Sequence, residues 1–425
     1  MNKLLILSMG LLLTLISAFK VIRCDSYLAD TDQTSIVERY DDGVANEISV
    51  ADQETTYRYV SARSGLNYRV APQGKILGKF DLNRQLKIVR QNVLPDTIKD
   101  GNQFLVGNWV GVEIGTEIVY VFDAFLQENP VPSDLALYYL SAPYVSSQGE
   151  YRTAFLNISE APYFEARNNY DQLFDPLLSE EQMSNDTIIL HQSQRKEFLQ
   201  RSGFSDQHNI FIYELQTGQV SQHPLTEFPM IACLSIYTSG DGPFEEYDYQ
   251  FGFDLGKHYQ IGENLVAIAS KNPFVEKGLQ PMVWEMTSSS TDIQKINNWL
   301  SENNWFPGLR SLDQANLWKH EAGEYICYVQ EFQLKESFAG RLILAFEQDG
   351  KLLHVEYQRE SESAYLIALN TEKVSQISSN QFTGRLFKEK GPILFGLISY
   401  SFGCPAVKVL DRREPNVPIL CDNRH

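Results

Sequence analysis

Apolar and polar positions alternate with a period of two along much of this chain, beginning near residue 55. Tyr57, Tyr59 and Ala62 alternate with polar neighbours, and Leu66, Tyr68 and Val70 do so again. Ile76-Leu77, Phe80, Leu86, Ile88 and Val89 follow, then Val106, Trp109-Val110, Val112 and Ile118 to Phe122. A period of two places alternate side chains on one face of a strand. Short strands separated by Gly, Asn and Asp predict a small β-barrel over 55–127. Pro72, Gly74 and Gly78 mark its turns.

Beyond the barrel the pattern is mixed. Pro130 and Pro132 end the module, and Ser133 is placed to cap a short helix through Leu135, Leu137 and Leu140. Residues 128–143 thus read as a linker that packs. Ser159 to Asn169 is ambiguous between helix and loop. Gln192 to Arg201 predicts a short helix, and Ile210 to Leu215 a strand. Met230 to Tyr237 is a continuous apolar run, as in a buried strand. Asp248 to Leu255, Leu265 to Ala269 and Val283 to Met286 add further strands. Ile293, Ile296, Trp299 and Leu300 recur at helical spacing, so a helix starts at Ser290 or Thr291. Residues 301–320, with Trp305 and Trp318, read as irregular. Strands return over Glu324–Phe332, Arg341–Phe346, Lys351–Tyr357, Ala364–Leu369, Ile393–Tyr400, Ala406–Leu410 and Val417–Leu420. Gln348-Asp349-Gly350 joins two of them as a hairpin turn. The fold class expected is mainly β with some α: a small SH3-like barrel followed by a larger β-rich α+β region over 144–425. That region is one or two domains, with a division near 287–322.

The amino terminus changes the picture of where the chain works. Lys3 precedes Leu4 to Ala18, an apolar run of 15 residues. That is short for a membrane span and suits a secretory signal over residues 1–24. Cys24 then makes a lipidation candidate, although Arg23 stands where a small residue is usual. Plain secretion and an uncleaved anchor are the alternatives. Residues 25–54 are polar and acidic, a flexible leader. The formal net charge is −18; losing residues 1–24 removes Lys3, Lys20 and Arg23 and no acid, leaving −21. Such a chain repels nucleic acid, and no basic stripe overrides this. Export to the periplasm, outer envelope or extracellular space is expected, with membrane contact only through a lipid anchor.

Val60-Ser-Ala62, Gly65-Leu66-Asn67-Tyr68-Arg69, Pro72, Gly74-Lys75, Leu77-Gly78, Trp109-Val110-Gly-Val112, Tyr120-Val121-Phe122 and Phe125-Leu126 together resemble a bacterial SH3-like (SH3b) domain. Tyr68 replaces the common valine, Val119 replaces the glycine before Tyr120, and the insertion around Pro95 to Phe104 is long. The resemblance covers 55–127 only. It implies a module that binds cell-wall or envelope peptides, with Asn67, Arg69, Trp109 and Tyr120 as ligand candidates. The residues themselves also carry a structural reading: Asn67 and Arg69 hold backbone, and Trp109 fills the core or a groove.

Chemistry-bearing motifs are sparse. The seven histidines show no HExxH or similar spacing, and no P-loop, GxGxxG before a helix, or Gly-x-Ser-x-Gly elbow occurs. No metal, cofactor or catalytic residue is expected. Cys233 and Cys327 lie in hydrophobic strand patterns, as buried thiols. Asp254 with Glu263, or Glu245 and Glu246 beside Asp241, are conceivable carboxylate pairs. Cys404 and Cys421 flank two strands joined by Asp411 to Asn416, and a hairpin there brings the two thiols into disulfide range. The final Cys421 to His425 is either a small polar site or a tied-down tail. Two functions remain: an exported envelope protein whose SH3b-like module binds cell-wall or peptide ligands, and an envelope hydrolase targeted by that module. Partners expected are peptidoglycan or an envelope peptide or protein. The oligomeric state is not legible.

Overall fold

The alternation over 56–127 folds into seven strands: β1 (Thr56–Val60), β2 (Leu66–Arg69), β3 (Ile76–Phe80), β4 (Gln85–Asp100), β5 (Gln103–Ile114), β6 (Glu117–Phe122) and β7 (Leu126–Gln127). Their order in one antiparallel sheet is β3-β2-β6-β5-β4-β1-β7. The sheet wraps a single core that includes Val60, Leu66, Phe80, Leu86, Val110, Val112 and Val121. The long insertion around Pro95 to Phe104 is the outer part of a β4–β5 ribbon, paired as far as Asp100 opposite Gln103. The computed structural model describes residues 56–101, 103–115, 117–142, 153–162, 176–238, 242–257, 259, 261–262, 264–303, 309, 311–335, 337–371 and 381–423. The signal and leader segments 1–54 with Cys24, residues 163–169 of the Ser159–Asn169 stretch, Trp305 and the Arg424–His425 end lie outside them. The chain is mainly β, with several sheets and a half-barrel.

Strand Asn209–Glu214 shows why a continuous apolar run forms the centre of the rest. Ile210 and Ile212 enter one core with Met230, Phe251, Phe253, Val266 and Phe198. Phe211 and Tyr213, on its other face, enter a second core with Phe274, Phe387, Ile393, Val407 and Ile419. Buried on both sides, the strand has no polar face to show. It belongs to a nine-stranded sheet ordered Val220–Pro224, Asn209–Glu214, Asn264–Ala269, Leu137–Tyr138, Val417–Leu420, Ala406–Val409, Ile393–Phe395, Phe382–Gly384, Leu279–Pro281. A five-stranded sheet from Leu140 to Asp254 packs on one face of it, with helix Gln192–Arg201 alongside.

Residues 285–358 form a separate five-stranded meander: Glu285–Met286, Asp313–Glu321, Tyr325–Leu334, Ser337–Glu347 and Leu352–Gln358. Helix Ser290–Glu302, capped by the Ser289 side chain, covers one face through Ile296 and Trp299. The other face carries Tyr325, Cys327, Val329, Ile343 and Ala345, packed on Trp284, Leu394 and Leu410.

Several expectations need correction. Residues 133–141 form no helix: Leu137–Tyr138 and Leu140–Ser141 are short strands. Leu137 and Leu140 enter different cores, which a strand permits. The Ser133 hydroxyl accepts from the Leu135 backbone N–H, a tight local turn. Residues 301–320 are not wholly irregular, because Asp313–Glu321 is a strand. Its period is obscured by polar side chains and by a bulge between Gln314 and Leu317. The 230–237 strand ends at Leu234, and Ile236 and Tyr237 are exposed. Ile393–Tyr400 is two strands broken at Gly396, whose φ of 84° suits glycine.

Ala406–Val409 and Val417–Leu420 form the expected hairpin, and Cys404 and Cys421 are disulfide-bonded across its open end, with Cα atoms 5.5 Å apart. The bridge closes a segment with a sequence separation of 17, worth about 3 kcal/mol in the chain-entropy account. The double variant Cys404→Ser/Cys421→Ser should lose stability on that order in urea unfolding. A midpoint that does not move would contradict the bridge.

Candidate binding cleft

The residues that suggest a ligand site in the first sheet turn out to support one another. Arg69 stands opposite Tyr120 in the β2–β6 register. Its Nη1 donates to the Gly74 carbonyl at 2.6 Å, and its guanidinium lies 5.7 Å from the Trp109 ring. Trp109 is only 4% exposed, and its Nε1 donates to Asp96 Oδ2 at 2.9 Å. The Gln73 side chain donates to the same oxygen at 2.9 Å. Hydrogen bonds from Trp109, Gln73 and the Thr97 N–H hold the Asp96 carboxyl below its ordinary range. The Tyr120 hydroxyl accepts from Arg90 Nη1 at 2.7 Å. Asn67 stays apart from this set, as the register partner of Lys79 on β3. Arg69, Trp109 and Tyr120 therefore lie together, and each makes a hydrogen bond within the sheet. Asp96 and Gln73 complete the cluster. No motif announces them, because they reach Trp109 only through the fold of the ribbon.

Residues 53–425 cluster as one compact unit, and an open cleft of about 760 Å³ lies within it, between the first sheet and the carboxyl-terminal strands. Six basic side chains line it, Arg63, Lys79, Lys351, Arg385, Arg412 and Arg413, against five acidic ones. In a chain of net charge −18 this is a locally basic place. Two ion pairs tie its walls: Arg412 to Asp81 at 2.5 Å and Arg63 to Glu414 at 3.5 Å. Asp411 is held below the usual carboxylate range chiefly by its hydrogen bond from Arg413, at 2.8 Å. Arg385 is exposed on the lining.

A smaller cleft of about 260 Å³ shares Asp81, Asp411 and Arg412 with the first. Its wall carries Glu356 on the edge strand Leu352–Gln358 and Lys408 on Ala406–Val409, so one ion pair at 2.9 Å joins two sheets. His354 Nε2 lies 3.6 Å from the other carboxylate oxygen. Burial alone would raise the Glu356 carboxyl, but the Lys408 ammonium and His354 outweigh it and hold it well below the ordinary range. Burial would likewise lower Lys408, yet Glu356 keeps it above its ordinary value. A general acid or base works best near ambient pH. This pair is driven the other way, toward permanent charge, which suits holding a charged ligand or a sheet junction.

Other candidate groups serve the backbone. Glu246 accepts from the Leu177 and Leu178 N–H groups at 2.5 and 2.7 Å, while burial raises its carboxyl. Asp254 accepts from the Gly256 N–H, and Glu245 and Asp248 cap a short 3₁₀ turn. Asp241 and Glu263 lie outside the described residues. Cys233 is buried. Cys327 stands directly opposite His320 on neighbouring strands, a Cys/His juxtaposition that the sequence hides seven residues apart. Cys327 is fully buried, and burial pushes its thiol up to about 12, so it is neither ionised nor within reach of a substrate. Among the described residues no group of three or more His, Cys, Asp or Glu is arranged to hold a metal ion.

No family model, curated protein or solved structure matches this chain.

The Glu356–Lys408 pair yields a pH prediction. A carboxyl depressed in the folded state contributes stability above its unfolded value, near 4.5, and loses it as pH falls through the folded value. Glu356→Gln leaves a buried ammonium unpaired and should cost on the order of 3 kcal/mol at neutral pH. The difference from wild type should shrink as the pH is lowered below the ordinary carboxylate range, measured by urea unfolding at several pH values. A constant difference across that range would refute the assignment.

Proposed function

We propose that this chain is an exported cell-envelope protein in which an SH3b-like module over 55–127 and the region after it together bind a cell-wall or envelope peptide, without chemistry. The observation that carries this reading is the cleft between them. Its volume of about 760 Å³ lies in the range of small-ligand sites. Its lining carries both signs of charge, which suits a short peptide bearing amine and carboxylate groups better than an apolar ligand. The apparent ligand residues Arg69 and Trp109 are engaged within the sheet, so recognition shifts to the cleft rim. The hydrolase alternative has Cys327 and His320 in its favour, but a buried, protonated thiol is poorly suited to attack.

The test is co-sedimentation with purified peptidoglycan, with soluble stem peptides as competitors. Arg385→Glu combined with Arg413→Glu reverses two exposed charges on the cleft and should weaken binding roughly tenfold or more, while leaving the circular dichroism spectrum unchanged. Wild-type protein that does not bind, or a double variant that binds equally well, would sink the proposal.

A further inference from the structure

Strand β5 carries two features that the rest of the molecule leaves unfinished. The first is its core-side face. Residues 104, 106, 108, 110 and 112 point to one side of the strand. Val110 and Val112 are buried in the first core, at 5% and 0% exposure. Phe104 and Val106 continue the same row beyond that core and are 71% and 80% exposed.

The second is its outer edge. β6 pairs with β5 only from Trp109 to Ile114. Asp123 caps the next step by accepting from the Asn108 N–H at 2.6 Å. Before that, Gln103-Phe104-Leu105-Val106-Gly107 pairs only with β4 on its other side, among the described strands. An unpaired, apolar edge of this kind is a template for adding a strand. The opposite edge of the ribbon is differently made: β4 carries Pro95, Asp96, Lys99 and Asp100 there, the residues that blunt an edge. Only the β5 side is left open.

We propose that the free edge of β5 over Gln103–Gly107 pairs with the same edge of a second copy of this chain, making an antiparallel dimer about a two-fold axis. Charge selects the occupant. The segment 103–108 holds no ionisable side chain in a chain of net charge −18, so two copies paired there set no like charges directly opposite one another. A two-fold axis at Leu105 sets Phe104 opposite Val106 of the other copy, and Val106 opposite its Phe104. Directly opposed residues share a face, so the two exposed rows close into one apolar patch. The contact is isologous and self-limiting. This inference stands apart from the peptide-binding proposal: the ribbon edge carries it, and the cleft residues play no part.

Sedimentation velocity on the full chain across the micromolar range tests it. Wild type should move from monomer to dimer with concentration. Val106→Lys and Phe104→Lys, both at exposed positions, should each weaken association at least about tenfold, with an unchanged circular dichroism spectrum. Zwitterionic phosphatidylcholine vesicles serve as the competing partner. A wild type that stays monomeric throughout, a dimer unaffected by both lysines, or a monomer that instead binds the vesicles through Phe104 would each overturn the proposal.

Discussion

The parallel pairing of Val417–Leu420 with Leu137–Tyr138 is the constraint on which the rest of this structure depends. It is the one parallel pairing among the described strands. Parallel neighbours need a crossover, and here nearly the whole region from 139 to 416 lies within it. The returning strand lets Ile419 and Val417 join Leu137, Phe211 and Tyr213 in one core. It also brings the hairpin turn at Asp411 to Glu414 against the first sheet, where Arg412 meets Asp81 and Arg63 meets Glu414. The Asn83 side chain clamps both the N–H and the carbonyl of Val131 from the other direction. The cleft is the space left between these fixed points, so its geometry is set by strand pairing far from its lining.

Much of the fold was legible where one face of an element meets water. Helix Ser290–Glu302 follows directly from period, because Ile296 and Trp299 bury one side only. Elements buried on both faces or shorter than one period were read less well. Leu137 and Leu140 have a helical spacing of three, yet they belong to two strands that serve two cores. Asp313–Glu321 sends Leu317 into one core and Trp318 into another among polar neighbours, and a bulge shifts its register. The site was less legible still. Arg69 and Trp109 are visible in the sequence, but Asp96, Gln73, Glu356 and Lys408 acquire meaning only through pairings across 13 to 52 residues, which period cannot report.

Charge placement separates two roles within one acidic chain. Buried groups are paired so closely that they stay ionised: Glu356 is held down by Lys408 and His354, and Lys408 is held up by Glu356. Such a pair contributes little net energy against an apolar substitute but makes loss of either partner costly. It therefore specifies how the edge strand Leu352–Gln358 sits against Ala406–Val409. The exposed arginines of the cleft are the opposite case. Arg385 and Arg413 stand in solvent, where ion pairs are weak and a ligand can compete for them. The same residue types thus build the wall and furnish the rim.

The Arg69–Trp109–Asp96 cluster is best understood through the ribbon above it. An isolated two-stranded ribbon is marginal in water, and β4 and β5 run well past the strands that flank them. Something must hold the root. Trp109 buries its ring against Phe122 while its N–H reaches Asp96 on the opposing strand, and Gln73 reaches Asp96 from the β2–β3 turn. Arg69 lies beside the ring and ties that turn through the Gly74 carbonyl. Three segments are pinned at one carboxylate. A tryptophan and an arginine that would mark a ligand groove by resemblance serve here as a brace, and what they brace is the exposed row of Phe104 and Val106. Rigidity at the root lowers the ordering cost of any strand added at the tip, and the buried Trp109 ring places that root directly below the exposed Phe104 and Val106.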